Sequence, residues 1–197
     1  MKQSRKVVIG ITGGISTGKS FVMKIFKELG CAVFNCDVVA KEILDDKNVL
    51  EKVKGEFSEC FNDKLLDRKK LRSIIFSDEA SRRKLDAITH PAIYNRVQEL
   101  VREIESDIVA VEIPLLFEAS FEKLVGYIVC VVCSTSEQIK RLIARDNINK
   151  AEATKAINSQ MPLAEKVKRS NTVVDTALGE ESVKKQVKEI LKRLDNK

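Results

Sequence analysis

The stretch Gly13-Gly14-Ile15-Ser16-Thr17-Gly18-Lys19-Ser20 constrains this chain more than any other. A glycine, four residues and then Gly-Lys-Ser is the Walker A form, in which the glycines let backbone N–H groups turn toward phosphate oxygens. Its flanks suit that form. Val7-Val8-Ile9-Gly10-Ile11 reads as a short buried strand, and Phe21 to Leu29 reads as a helix. Strand, glycine-rich turn and helix in that order imply a loop that holds the phosphates of a nucleotide. The positive end of the helix beginning near Lys19 aids the binding. The candidate nucleotide contacts are Gly13, Gly14, Ile15, Ser16, Thr17, Gly18, Lys19, Ser20 and Phe21. Lys19 would reach the β- and γ-phosphates, and the Ser20 hydroxyl would sit on Mg²⁺.

Length and charge narrow the rest. At 197 residues the chain can bury a sizeable core. Its net charge of +6 fits a polyanionic small molecule as well as nucleic acid, and no dense Lys/Arg tail is present, so nucleic acid is not the expected ligand. Cys130 and Cys133 form a C-x-x-C inside a strand-like run. With Cys31, Cys36 and Cys60 they read as small buried hydrophobes in a reducing compartment. No apolar run reaches 18 residues, and the first six residues do not resemble a signal peptide. The expectation is a cytoplasmic protein with no membrane partner, working as a monomer.

Five apolar runs, Val7–Ile11, Ala32–Asn35, Ile108–Ile113, Tyr127–Cys133 and Thr172–Val174, alternate with helical patterns. That alternation predicts a three-layer α/β/α fold on a five-stranded parallel sheet, with its chemistry at the carboxyl ends of the strands. Between Asn35 and Ile108 the pattern predicts helices over Asp37–Leu50, Arg68–Ser77, Asp78–Thr89 and Pro91–Ile104. The resulting division is a nucleotide-binding core of residues 1–52 and 105–197 and a mostly helical region of residues 53–104. Substrate recognition is expected at about Val53 to Thr89. Residues 137–146 read as a helix, Ile148-Asn149 breaks it, and Lys150 to Gln160 resumes it. This basic segment, about 137–168, reads as a lid. Glu180 to Leu194 reads as an amphipathic helix packing through Val183, Val187, Ile190, Leu191 and Leu194.

Several polar residues occupy positions where a kinase needs them. Asp37 lies just past the second strand, where a carboxylate can take the proton of an acceptor hydroxyl; it also reads as the N-cap of a helix starting at Val38. Glu112 ends the third strand, where an acid can bind Mg²⁺ through water or simply face the surface. Arg141 and Arg145 share a helix face, suited to transferring phosphoryl oxygens or to solvent. Glu118 can hydrogen-bond a substrate or cap a turn. Arg72 can hold acceptor phosphates or be surface charge. His90, the only histidine, reads by itself as structural.

Six stretches in order, ITGGISTGKS, LGCAVFNCD, ITHPAI, IPLLFE, RLIARD and SQMPLAEKVKRSNTVVD, make the chain resemble the dephospho-coenzyme A kinase family from Val8 to about Val187. The resemblance implies a P-loop core with a helical coenzyme-binding region at about 53–89 and a lid. It implies transfer of the ATP γ-phosphate, with Mg²⁺, to the ribose 3′-hydroxyl of dephospho-CoA, the last step of coenzyme A synthesis. Asp37 then falls on the catalytic aspartate, and Arg141 and Arg145 on lid arginines. His90, Leu115, Phe117 and Glu118 fall on the acceptor side. Three places depart from the family pattern. Ser16 stands where glycine is usual. Asn35 replaces the first acid of Asp-x-Asp. Asn171 and Thr176 replace Asp and Asn around Val173-Val174-Asp175.

Overall fold

A computed structural model describes residues 6–63 and 65–195. The strands and helices follow in chain order as β1 (Val7–Gly13), α1 (Lys19–Glu28), β2 (Ala32–Asn35), α2 (Cys36–Ile43), α3 (Lys47–Glu56), β3 (Phe61–Asn62), β4 (Leu65–Leu66), α4 (Arg68–Ser77), α5 (Glu79–Glu103), β5 (Ile108–Glu112), β6 (Tyr127–Val132), α6 (Thr135–Asp146), α7 (Lys150–Asn158), α8 (Leu163–Lys168), β7 (Thr172–Asp175) and α9 (Glu180–Asp195). Five parallel strands form one sheet in the order β2-β5-β1-β6-β7, and helices cover it in a three-layer α/β/α arrangement. Because β1 is central, the loop leaving its carboxyl end emerges mid-sheet, where open α/β folds bind ligands.

The central strands are legible because both of their faces are buried. Ile9, Ile11, Ala110, Val129, Val131 and Val174 meet Val22, Ile25 and Phe26 of α1 and Val183, Val187 and Ile190 of α9 in one cluster. The α9 stripe at positions 183, 187 and 190 is the apolar face expected from its spacing, with Leu191 and Leu194 packed at its margin.

The chain divides into two compact units, one running through Asn35 and resuming at Val101, the other Cys36–Leu100. The second unit has its own core, in which Val49, Val53, Phe57, Cys60, Leu71 and Leu85 are buried together. A short antiparallel pair, β3 with β4, lies within this unit.

Two helix expectations there are corrected. The single helix predicted over Asp37–Leu50 is two, α2 and α3. The first stops at Ile43, and Asp46 caps the second, its carboxylate accepting from the N–H groups of Asn48 (2.9 Å) and Val49 (3.1 Å). Asp favours a cap over a helix interior, so two aspartates in a row divide the run. The helices predicted over Asp78–Thr89 and Pro91–Ile104 are instead one, α5, which runs through Pro91. Pro91 lacks an N–H and crowds the preceding turn, a cost of about 3 kcal/mol. Leu85, Thr89, Ile93 and Val97 are buried at four-residue spacing on both sides of it, and that continuous buried face keeps the helix going. Asp37 is also not the N-cap of a helix starting at Val38. Helix α2 starts at Cys36, so Asp37 lies in its first turn, where the helix dipole favours an anion.

All five cysteines are buried free thiols. Burial pushes Cys130 up to about 11, Cys31 up to about 11 and Cys36 up to about 12, the neighbouring Asp37 adding to the last. Above about pH 9 the unfolded chain releases these protons while the folded chain keeps them. The stability they contribute is therefore complete below pH 9 and is lost as pH rises toward 11–12. Urea midpoints measured from pH 8.5 to 10.5 are expected to fall with pH, and to fall less steeply in Cys130→Ala. Identical slopes would remove the Cys130 thiol as a contributor.

Candidate active site

At the end of β1 the backbone pairs with β6 through Gly13 and Val131. Gly13 has φ +144°, and a β-carbon there would overlap the Val131 carbonyl oxygen. Only glycine leaves room for the chain to turn off the sheet at this point. The turn is then fastened to itself. The Gly14 carbonyl accepts from the Lys19 ammonium (2.9 Å) and from the Thr17 hydroxyl (2.9 Å), and Lys19 and Thr17 are both buried. Helix α1 begins at Lys19, so its first N–H groups face the inside of the curl.

Ser16, where the family usually has glycine, has φ +58°. A side chain in this left-handed conformation costs about 1–2 kcal/mol. Its hydroxyl oxygen is buried and, among the described residues, meets no hydrogen-bond partner. A buried hydroxyl donor left open in a ring of main-chain N–H groups fits phosphate oxygens.

Thr176 braces the far side of the loop. Its hydroxyl donates to the Thr17 carbonyl (2.7 Å), and Arg141 Nη1 reaches the same hydroxyl at 3.1 Å. Arg141 is oriented by Glu137 one turn earlier (2.8 Å). Arg145, on the same face of α6, is exposed and forms a two-pronged contact with Asp146, at 2.7 and 2.8 Å. That contact raises the Arg145 pKa and lowers that of Asp146. The helix break expected at Ile148-Asn149 takes the form of a left-handed Asn147 followed by an Asn149–Glu152 capping box.

Ser20 and Glu112 form the candidate cation site. The Ser20 hydroxyl lies 3.4 Å from each Glu112 carboxylate oxygen, and Glu112 is buried at the carboxyl end of β5. One hydroxyl and one carboxylate are few ligands for an all-protein cage, but they suit Mg²⁺, which retains waters and phosphate oxygens. Asn35 on β2 is the register partner of Glu112. An acid at position 35 would set a second carboxylate beside the first.

The segment after β5 folds tightly onto its own unit. Leu116 and Phe117 are buried, Phe117 being 4% exposed with the Arg169 guanidinium 4.3 Å over its ring, while Leu115 is 47% exposed. Glu118 accepts from the Met161 N–H (3.1 Å) and pairs with Lys166 (2.8 Å), whose ammonium also donates to the Pro114 carbonyl (2.9 Å). Lys166 has no exposed side-chain surface. Sequence reading missed this pair, and the only signal for it is a lysine in an otherwise amphipathic short helix, α8. Asn171, a departure from the family pattern, accepts the Ile128 N–H (2.7 Å) at the start of β6.

In the helical unit, Asp37 is exposed in the first turn of α2 and Arg72 is exposed on α4. His90, on α5, lies 3.4 Å from Asp86 one turn earlier. Among the described residues no group of three or more His, Cys, Asp and Glu could hold a metal, and no helix is long and apolar enough to cross a membrane.

A glycine-rich curl at the end of a central parallel strand, a lysine folded back over it and a helix opening at that lysine define the class: a P-loop protein. The particular family follows from comparison. The dephospho-CoA kinase family model matches residues 7–181, and the chain belongs to that family. A dephospho-CoA kinase from Carboxydothermus hydrogenoformans is 38% identical over 192 residues, covering 94% of this chain and 93% of that one. The crystal structure of TT1252 from Thermus thermophilus superposes with a TM-score of 0.86 at 31% identity, over 96% of this chain and 98% of that one. Dephospho-CoA kinase from Campylobacter jejuni superposes at 0.68 with 28% identity, over 93% and 96% of the two chains.

The Lys166–Glu118 pair gives a direct stability test. Glu118→Gln leaves the fully buried Lys166 ammonium without its carboxylate and is expected to cost about 3–5 kcal/mol in urea unfolding. Adding Lys166→Met should return part of that loss. A cost below about 1 kcal/mol for the single variant would show that the pair is not closed in solution.

Proposed function

We propose that this chain transfers the γ-phosphoryl group of ATP to the ribose 3′-hydroxyl of dephospho-CoA, giving coenzyme A and ADP. The observation that carries the reading is family membership across residues 7–181 in a chain whose phosphate loop retains every element of the Walker A form.

In this reading the loop from Gly13 to Phe21 binds the triphosphate through main-chain N–H groups other than that of Ile15, and the open Ser16 hydroxyl adds a donor. Lys19 leaves the Gly14 carbonyl to hold the β- and γ-phosphates, and Ser20 with Glu112 holds Mg²⁺. When bound, that ion supplies positive charge against the phosphate oxygens. Asp37 orients the 3′-hydroxyl and takes its proton as the oxygen bonds to the γ-phosphorus. The bond from that phosphorus to the β–γ bridging oxygen breaks, and ADP leaves with the bridging oxygen. Arg141 and Arg145 meet the charge spread over the transferring oxygens, within a lid of about residues 137–168 that excludes water. The part of the helical unit at about 53–89 holds dephospho-CoA, with Arg72, His90, Leu115, Phe117 and Glu118 on the acceptor side.

ADP formation measured with dephospho-CoA, adenosine, nucleoside monophosphates and pantothenate tests the reading. Stimulation by dephospho-CoA above the rest is expected. Stimulation by another acceptor would reassign the substrate, and none at all would leave a nucleotide-binding switch. Asp37→Asn is expected to lower turnover at least about 100-fold while leaving ATP affinity within about twofold. Equal turnover would remove Asp37 as the base.

A further inference from the structure

Both main-chain polar groups of Ile15 are held by glutamines. The Ile15 N–H donates to Gln160 Oε1 (3.0 Å), and the Ile15 carbonyl accepts from Gln138 Nε2 (2.8 Å). The amide orientations are forced, because a backbone N–H needs an oxygen opposite it and a backbone carbonyl needs an N–H. Gln138 is 2% exposed, and a β-carbon at Gly14 would overlap its amide nitrogen. At the second glycine of the loop, a position the Walker A form leaves free, any side chain would therefore displace this amide.

The two glutamines occupy the two roots of one excursion of the chain. Gln138 lies in the first turn of α6, and Gln160 follows the end of α7 by two residues. Each root is anchored further. Arg141, three residues after Gln138, reaches the Thr176 hydroxyl that holds Thr17, and Met161, next to Gln160, donates to Glu118. The grip on the Ile15 carbonyl falls immediately before the left-handed Ser16, and the Thr176 bond to the Thr17 carbonyl falls immediately after it.

We propose that Gln138 and Gln160 are positioning residues: they hold the phosphate loop in its binding shape around Ser16 and join that shape to the α6–α7 segment. The proposal rests on the reading that this loop binds ATP. Neither glutamine takes part in the chemistry; both act through the Ile15 main chain.

The opposite polarity of the two bonds supplies the test. At position 160 an acceptor is needed, so Gln160→Glu keeps it and Gln160→Met removes it. At position 138 a donor is needed, and Gln138→Met removes it. Amide hydrogen exchange at Ile15, resolved by NMR in the ATP-free protein, is expected to quicken at least about fivefold in Gln160→Met and to stay near wild type in Gln160→Glu. Equilibrium ATP affinity, measured by fluorescence titration, is expected to weaken about fivefold in both Met variants, with circular dichroism unchanged. Unchanged Ile15 exchange in Gln160→Met, equal loss of protection in the Met and Glu variants, or unchanged ATP affinity in both Met variants would overturn the proposal. The exchange measurement needs no acceptor, so it stands apart from the kinase reading, whose own failure is an absence of dephospho-CoA-stimulated ADP formation in the unmodified protein.

Discussion

The turn at Gly13 sets the terms for everything around it. Here β1 is still paired with β6, yet the chain must leave the sheet with φ +144° against the Val131 carbonyl oxygen. Once it has turned, the Gly14 carbonyl points where Lys19 and Thr17 can both donate to it, and α1 starts at Lys19 with its N–H groups facing inward. Main-chain donors, a helix N-terminus and a buried ammonium gathered in one curl favour a polyanion, so the turn that strains the backbone also suits phosphate.

The surroundings keep that strained curl from relaxing. Thr176 holds Thr17 from β7's end of the sheet, and the Ile15 main chain is bonded on both sides. Ser16 sits between those fixed points with a β-carbon in a conformation that glycine adopts more readily. Thr176 braces the loop, and Asn171 closes the start of β6.

The sheet was legible in the sequence because its strands are apolar on both faces, a pattern that Val109-Ala110-Val111 and Val129-Cys130-Val131 carry without interruption. The helical unit was less so. Whether Asp46 divides a helix and whether Pro91 ends one depends on burial at Val49, Leu85, Ile93 and Val97, which no local propensity contains. In the site, the glycine and lysine positions followed from the motif. The partners of Glu118, Ile15 and Arg141 did not, since each contact joins residues tens of positions apart and glutamine reads in sequence as an ordinary surface residue.

In the proposed reaction a phosphoryl group held by the Gly13–Ser20 curl passes to a ribose hydroxyl rather than to water. ATP carrying ¹⁸O in its γ-phosphate, incubated with dephospho-CoA and this protein, tests that transfer by mass spectrometry of the products. The labelled phosphate is expected on the 3′ position of the coenzyme, with little label in free phosphate. Label recovered only as inorganic phosphate, with the acceptor unchanged, would contradict it.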